Sequence, residues 1–192
     1  MDESRISAYI EELTRIVTII NRSLQLPELT SDYIQGCSVE EFGAIHERTR
    51  YIGGTLNEIN DFIVNSDPKE TLPLRKKVVE LIPLLLMNYQ LLRVLSSGAS
   101  KESLSKWPEI VEITGLKIPV STCLRLIAVC LLDSEVKQCL VDVPLGVKAI
   151  VSHMADDPLN PFQREGAIFA IKVLTTDFSP GQDALSSFTI KY

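Results

Sequence analysis

The segment from Asp157 to Leu174, DPLNPFQREGAIFAIKVL, sets the strongest limit on what this chain can fold into. Asn160 suits a helix N-cap, because its side-chain oxygen can accept from the unpaired N–H groups of a first turn. Pro161 follows at the first helical position, where a missing N–H is harmless and φ is already helical. Gln163 stands three residues after the cap, placed to reach back to it as in a capping box. Phe162, Ala167, Ile168, Phe169, Ala170, Ile171, Val173 and Leu174 then leave a polar strip only at Gln163, Arg164, Glu165 and Lys172. A helix apolar on most sides must be covered on most sides. The segment therefore predicts an inner helix of a stacked, multi-helix protein.

The rest of the chain agrees with an all-α class. Its 192 residues are enough to bury a sizeable core. Leu and Ile are plentiful, glycine is sparse, and alternating β-branched runs are nearly absent, so a sheet is poorly supported. Ser4–Leu24 places Ile6, Ile10, Leu13, Ile16, Val17 and Ile20 on one helical face. Residues 38–63 form a second helical zone, opened by the capping-box pattern Ser38-x-x-Glu41 and kinked or broken at Gly53-Gly54. Asp67-Pro68 marks a boundary. Leu74–Leu95 is a long apolar helix or helix pair, and its most apolar window, Leu81–Leu92, reads as a buried helix with Pro83 near its start. That window is about half the length of a membrane span. A polar connection, SSGASKESLS, follows at residues 96–105, and Trp107-Pro108 starts a short helix. Further helices are expected at Val120–Leu132, Ser134–Val141, Leu145–Met154, Asn160–Thr176 and from Pro180.

Charge and cysteine usage narrow the function classes. A formal net charge of −6 opposes nucleic acid and anionic membrane as main partners. The start MDESRISAYIEELTRI is acidic and amphipathic rather than a basic stretch followed by an apolar one, so a cytoplasmic or nuclear protein is expected. Disulfides are then not expected among Cys37, Cys123, Cys130 and Cys139. Cys123 and Cys130, seven apart, share one helical face as small buried residues. The alternative, a metal site joining Cys123 and Cys130 with Cys139 and His153, lacks the paired spacing that zinc sites use.

The second half repeats itself. RLIAVCL begins at Arg125 and FAIKVLT at Phe169, an offset of 44. At that offset Ile127 matches Ile171, Val129 matches Val173, and Gln138 matches Gln182. The period falls within the roughly 40–47 residues of armadillo and HEAT units, whose apolar faces only a neighbouring unit can cover.

The last third of the chain also resembles the C-terminal domain of the ataxin-10 family. That domain carries a pattern close to L-I-R-L-I-G-N-L-C, then N-Q, G-I-P, D-D-x-N-P-F-x-R-E-W-A-I-x-A-I-R-N-L and a second N-Q. Here Leu124-Arg125-Leu126-Ile127, Gln138 and Gly146 match the first part. Asp157, Asn160, Pro161, Phe162, Arg164, Glu165, Ala167, Ile168, Ala170, Ile171, Leu174 and Gln182 match the second, with no gap from about Val120 to Gln182. The resemblance implies armadillo-like stacking into a right-handed α-superhelix over residues 116–192. Residues 1–115 share no part of it; the need to cover the stack's apolar face makes them an N-terminal helical region of divergent repeats or a cap. Two departures stand out. Gly166 replaces a usual Trp, and Val129 and Val173 stand where armadillo proteins have the Asn that bonds the backbone of an extended peptide. Valine cannot make those bonds, so a binding face here is expected to use shape, apolar contact or charged side chains.

No catalytic motif is present, and two histidines, His46 and His153, limit acid–base chemistry at neutral pH. His153 reads as a positive charge near a helix end. Arg164-Glu165 reads as a local ion pair, Asp156-Asp157 as helix-start charges, and Arg75-Lys76-Lys77 as a solvated helix start. The expected function is a non-enzymatic scaffold or adaptor binding one or more protein partners, with no cofactor and no metal. Arg125, Arg164, Glu165 and Lys172 are its candidate contacts. The resemblance adds an association with cytokinesis, cell division and cell survival. Self-association through an uncovered end unit is also open to such a stack. The alternative reading is a compact helical regulatory domain, such as one that controls a small GTPase.

Overall fold

The computed structural model describes residues 3–24, 39–97, 120–156 and 162–188, with side chains for 3–18, 51–87, 120–156 and 162–188. Among them are eight α-helices and no strand. The helices are α1 (Glu3–Leu24), α2 (Val39–Asn65), α3 (Leu72–Ser97), α4 (Val120–Cys130), α5 (Ser134–Asp142), α6 (Gly146–Val151), α7 (Gln163–Thr175) and α8 (Ser179–Ser186).

Periodicity explains the long elements. On α1, Ile6, Leu13, Ile16 and Val17 are buried and Ile10 packs against the same core. On α2, Ile52, Leu56, Ile59 and Ile63 recur at steps of three and four and form one buried stripe. On α3, Leu74, Val78, Val79, Ile82, Leu85 and Leu86 bury more than one face, because this helix packs against α1, α4, α5 and α6. It is the central member of the fold.

The helices pack in two rows. In one, α2 packs on α4 and α4 on α7. In the other, α1 packs on α3, α3 on α5 and α6, and α5 on α8. Contacts of α3 with α4 and of α6 and α8 with α7 join the rows. A single buried cluster runs from Ile6 to Leu174 and draws on both sides of residue 115.

Four expectations change. The Gly53-Gly54 pair neither breaks nor ends α2, which runs unbroken through both glycines. Tertiary cover of the stripe at Ile52, Leu56 and Ile59 outweighs a helix penalty of about 1 kcal/mol per glycine. Pro83 lies inside α3 rather than near a helix start. Arg75 is not a solvated helix-start charge but is buried. The described start of α7 is also less tidy than its sequence: Phe162 is the N-cap, with φ −93° and ψ 1°, and no side chain caps it. Asn160 and Pro161 lie outside the described residues, as do Ser38, Cys37, the 98–105 part of the polar connection and the Trp107 helix.

Short connections carry their own logic. Asp67 opens the turn into α3, its Oδ1 accepting from Lys69 N at 2.8 Å and its carbonyl from Thr71 N at 3.1 Å. Asp133 caps α5 by accepting from Glu135 N at 2.8 Å. Leu145 enters α6 with φ 66°. Beside it, a Cβ on Gly146 would stand 2.5 Å from Leu140 O, so only glycine fits there.

Candidate functional site

The repeat seen in the sequence is also a repeat of position. The helix ends at Cys130 and Thr175 are 45 residues apart, and so are the helix starts at Ser134 and Ser179. Helix α4 packs on α7, and α5 on α8, so each element meets its own counterpart. Burial follows the sequence offset of 44: Cys123, Leu126, Ile127 and Cys130 are buried on α4, and Ala167, Ala170, Ile171 and Leu174 are buried on α7.

The two helices differ on a second face. On α4, Leu124 and Ala128 are also buried. Leu124 lies against α7, where a Cβ on Gly166 would stand 3.2 Å from the Leu124 Cβ. The corresponding positions on α7 are Ile168 and Lys172, and both are exposed. Phe162 is 66% exposed, Phe169 52% and Ile168 45%. The expectation of a helix covered on most sides is therefore corrected. Its buried arc is narrow, and its outward face carries Phe162, Ile168 and Phe169 among Arg164, Glu165 and Lys172. Among the described helices α7 occupies the end of its row.

Gly166 accounts for the close approach. A side chain at this position would begin 3.2 Å from the Leu124 Cβ, closer than ordinary packing, so α4 would have to give way to one.

The structure separates the four candidate contacts into two groups. Glu165 and Lys172 stand exposed on the outward face of α7. Arg164 shares that face but pairs with Asp156 Oδ1 at 3.1 Å, rather than with Glu165 as the adjacent sequence suggested. Arg125 is exposed on α4 and turned toward α2, its Nη2 donating to Asn57 Oδ1 at 3.4 Å. It is not gathered with the α7 residues. Apolarity alone predicts Phe162, Ile168 and Phe169 as core, whereas no neighbouring helix covers their face among the described residues.

Buried cations anchor the carbonyl ends of both repeated helices. Arg75 of α3 donates from Nη2 to Cys130 O at 2.8 Å and to Val129 O at 3.4 Å, at the end of α4. Lys137 of α5 donates from Nζ to Thr176 O at 2.7 Å, at the end of α7. The last carbonyls of a helix have no intrahelical donor and carry partial negative charge, so a buried cation there satisfies both needs. Lys76 pairs with Glu135, and Lys77 with Glu80 at 3.0 Å, so the basic cluster ties α3 to α5 and to itself. Gln163, expected as a capping residue, is instead buried and donates from Nε2 to Ala155 O at 2.9 Å.

The remaining reactive groups are used for packing. His153 lies just past the end of α6 and is fully buried, and its Nδ1 lies 2.8 Å from Ala149 O. A carbonyl only accepts, so Nδ1 carries the proton. Cys123 and Cys130 are buried as their spacing predicts, and burial pushes both thiols up to about 12. Burial also raises Cys139, with the Glu80 carboxylate adding to the shift. Among the described residues no group of three His, Cys, Asp or Glu side chains is placed to hold a metal ion, and no helix is long and apolar enough to cross a membrane. No family model, curated protein or solved structure matches the chain significantly.

Proposed function

We propose that this protein is a non-enzymatic interaction scaffold whose helices stack in armadillo-like units, with the outward face of α7 as its contact surface for a protein partner. One observation carries the reading: α7 exposes Ile168 where α4, its counterpart 44 residues earlier, buries Leu124 under the next helix. That face is built to receive another element. Burying the still exposed half to two-thirds of Phe162, Phe169 and Ile168 against a partner would contribute about 1–2 kcal/mol each. Glu165 and Lys172 offer charges of both signs at its edge, which favours one orientation of the partner over others. An ataxin-10-type role in cytokinesis, cell division or cell survival, a right-handed superhelical arrangement and a cytoplasmic location belong to the same proposal and rest on the motif at residues 157–174. Self-association through this face is one form the contact can take.

The test is affinity capture with the full chain, comparing wild type with Phe162→Ser/Phe169→Ser and with Lys172→Glu. The reading expects a protein partner that binds wild type and is lost or strongly reduced with the paired phenylalanine change. Capture that is equal for all three chains, or no partner beside a measurable turnover, would overturn it.

A further inference from the structure

The other end of the fold holds a second surface. Helices α1 and α2 touch each other only sparsely, because each spends its buried stripe elsewhere: α1 on α3, and α2 on α4. Two adjoining recesses of about 420 and 480 Å³ lie between them and share Tyr9 and Glu58. Their α2 wall runs from Tyr51 to Asn65, about 21 Å at the rise of an α-helix. That length suits about six residues of extended chain.

The chemistry of the groove is that of a cation seat. Tyr9 and Phe62 face each other with ring centres 5.2 Å apart. The Arg5 guanidinium lies over both, 5.6 Å from Tyr9 and 4.9 Å from Phe62, and Arg5 Nη2 donates to Tyr9 Oη at 3.2 Å. Aromatic faces attract cations through their quadrupole, and the protein's own arginine shows that these two accept one. Glu58 and Asp61 line the same recess, and among the described residues neither takes part in an ion pair. Glu12, by contrast, is committed to Arg15 at 2.7 Å and to the Tyr51 hydroxyl. The helix also keeps a glycine where the groove passes. A Cβ on Gly54 would meet nothing within 4 Å, so no packing within the fold requires its absence, and it leaves the α2 backbone open to a close approach.

We propose that the groove between α1 and α2 is a docking site for an extended arginine- or lysine-bearing peptide, one basic side chain of which takes the place of Arg5 over Tyr9 and Phe62. Glu58 and Asp61 then supply the countercharge that Arg5 does not use, and the chain's net charge of −6 steers a basic segment toward the protein. The site is separate from the α7 face, so either surface can fail without the other.

The test uses the full-length chain and two labelled eight-residue probes, one alternating Arg and Ser, the other Glu and Ser, read by fluorescence anisotropy. The variants are Gly54→Leu, Glu58→Gln/Asp61→Asn and, as a charge-matched control at the α7–α8 turn and on α8, Asp177→Asn/Asp183→Asn. Gly54→Leu adds a good helix former into open space, so retained helicity and melting show that it remains folded. The arginine probe is expected to bind wild type, to bind both groove variants at least ten-fold more weakly, and to bind the control within two-fold of wild type. The glutamate probe is expected not to bind. No binding by wild type, equal losses in groove and control variants, or undiminished binding by folded Gly54→Leu would each overturn the proposal.

Discussion

Two glycines show how one residue type answers to opposite surroundings. Gly54 sits in the middle of α2 facing open space, while Gly166 sits on α7 with the Leu124 Cβ 3.2 Å from where its own would be. Gly54→Ala is therefore expected to stabilise the fold by about 1 kcal/mol, since alanine regains helix propensity without meeting a neighbour. Thermal unfolding followed by circular dichroism would show a melting point raised by a few degrees. Gly166→Trp is expected to destabilise by about 1–3 kcal/mol, because the indole must push α7 away from α4. A denaturant midpoint equal to that of wild type would contradict the close contact. The sequence showed both residues as glycines inside helical segments and could assign each only the average helix penalty. What separates them is the distance to a residue some forty positions away, and no local pattern carries that.

At the scale of the element, the boundaries of the helices were largely legible and their surroundings were not. Ile6, Leu13, Ile16 and Val17 fall on the buried face that their spacing assigns to α1, and the 44-residue offset pairs buried positions of α4 with buried positions of α7. The same apolarity misled on Phe162, Ile168 and Phe169, because hydrophobicity states what a side chain would prefer and not whether a neighbour is there to cover it. Arg75 misled in the other direction. Among two lysines it looked solvated, yet it is buried and donates to Cys130 O at 2.8 Å. Removing it leaves the closing carbonyls of α4 without that donor. Arg75→Met keeps most of the volume and is expected to cost about 2 kcal/mol, within the range for a hydrogen bond to a charged group. The check is chemical denaturation of Arg75→Met beside Lys77→Met, whose charge is partly exposed and paired with Glu80 one turn away, and which should change stability far less.

The whole molecule is held by α3, which packs on α1 in the N-terminal half and on α4, α5 and α6 in the C-terminal half. A fragment limited to residues 116–192 loses that cover and the Arg75 anchor together. It is expected to show reduced helicity and no cooperative melting transition; a sharp transition with native helix content would show that this region folds without α3. The same two-row packing leaves α7 at the end of its row with an apolar outward face, and the scaffold reading depends on that face more than on any other feature. Hydroxyl-radical footprinting of the full chain, free and bound to its captured partner, reads those side chains directly. The account predicts strong modification of Phe162 and Phe169 in the free protein and marked protection of both in the complex. Phenylalanines already protected in the free chain, or equally modified in both states, would contradict it.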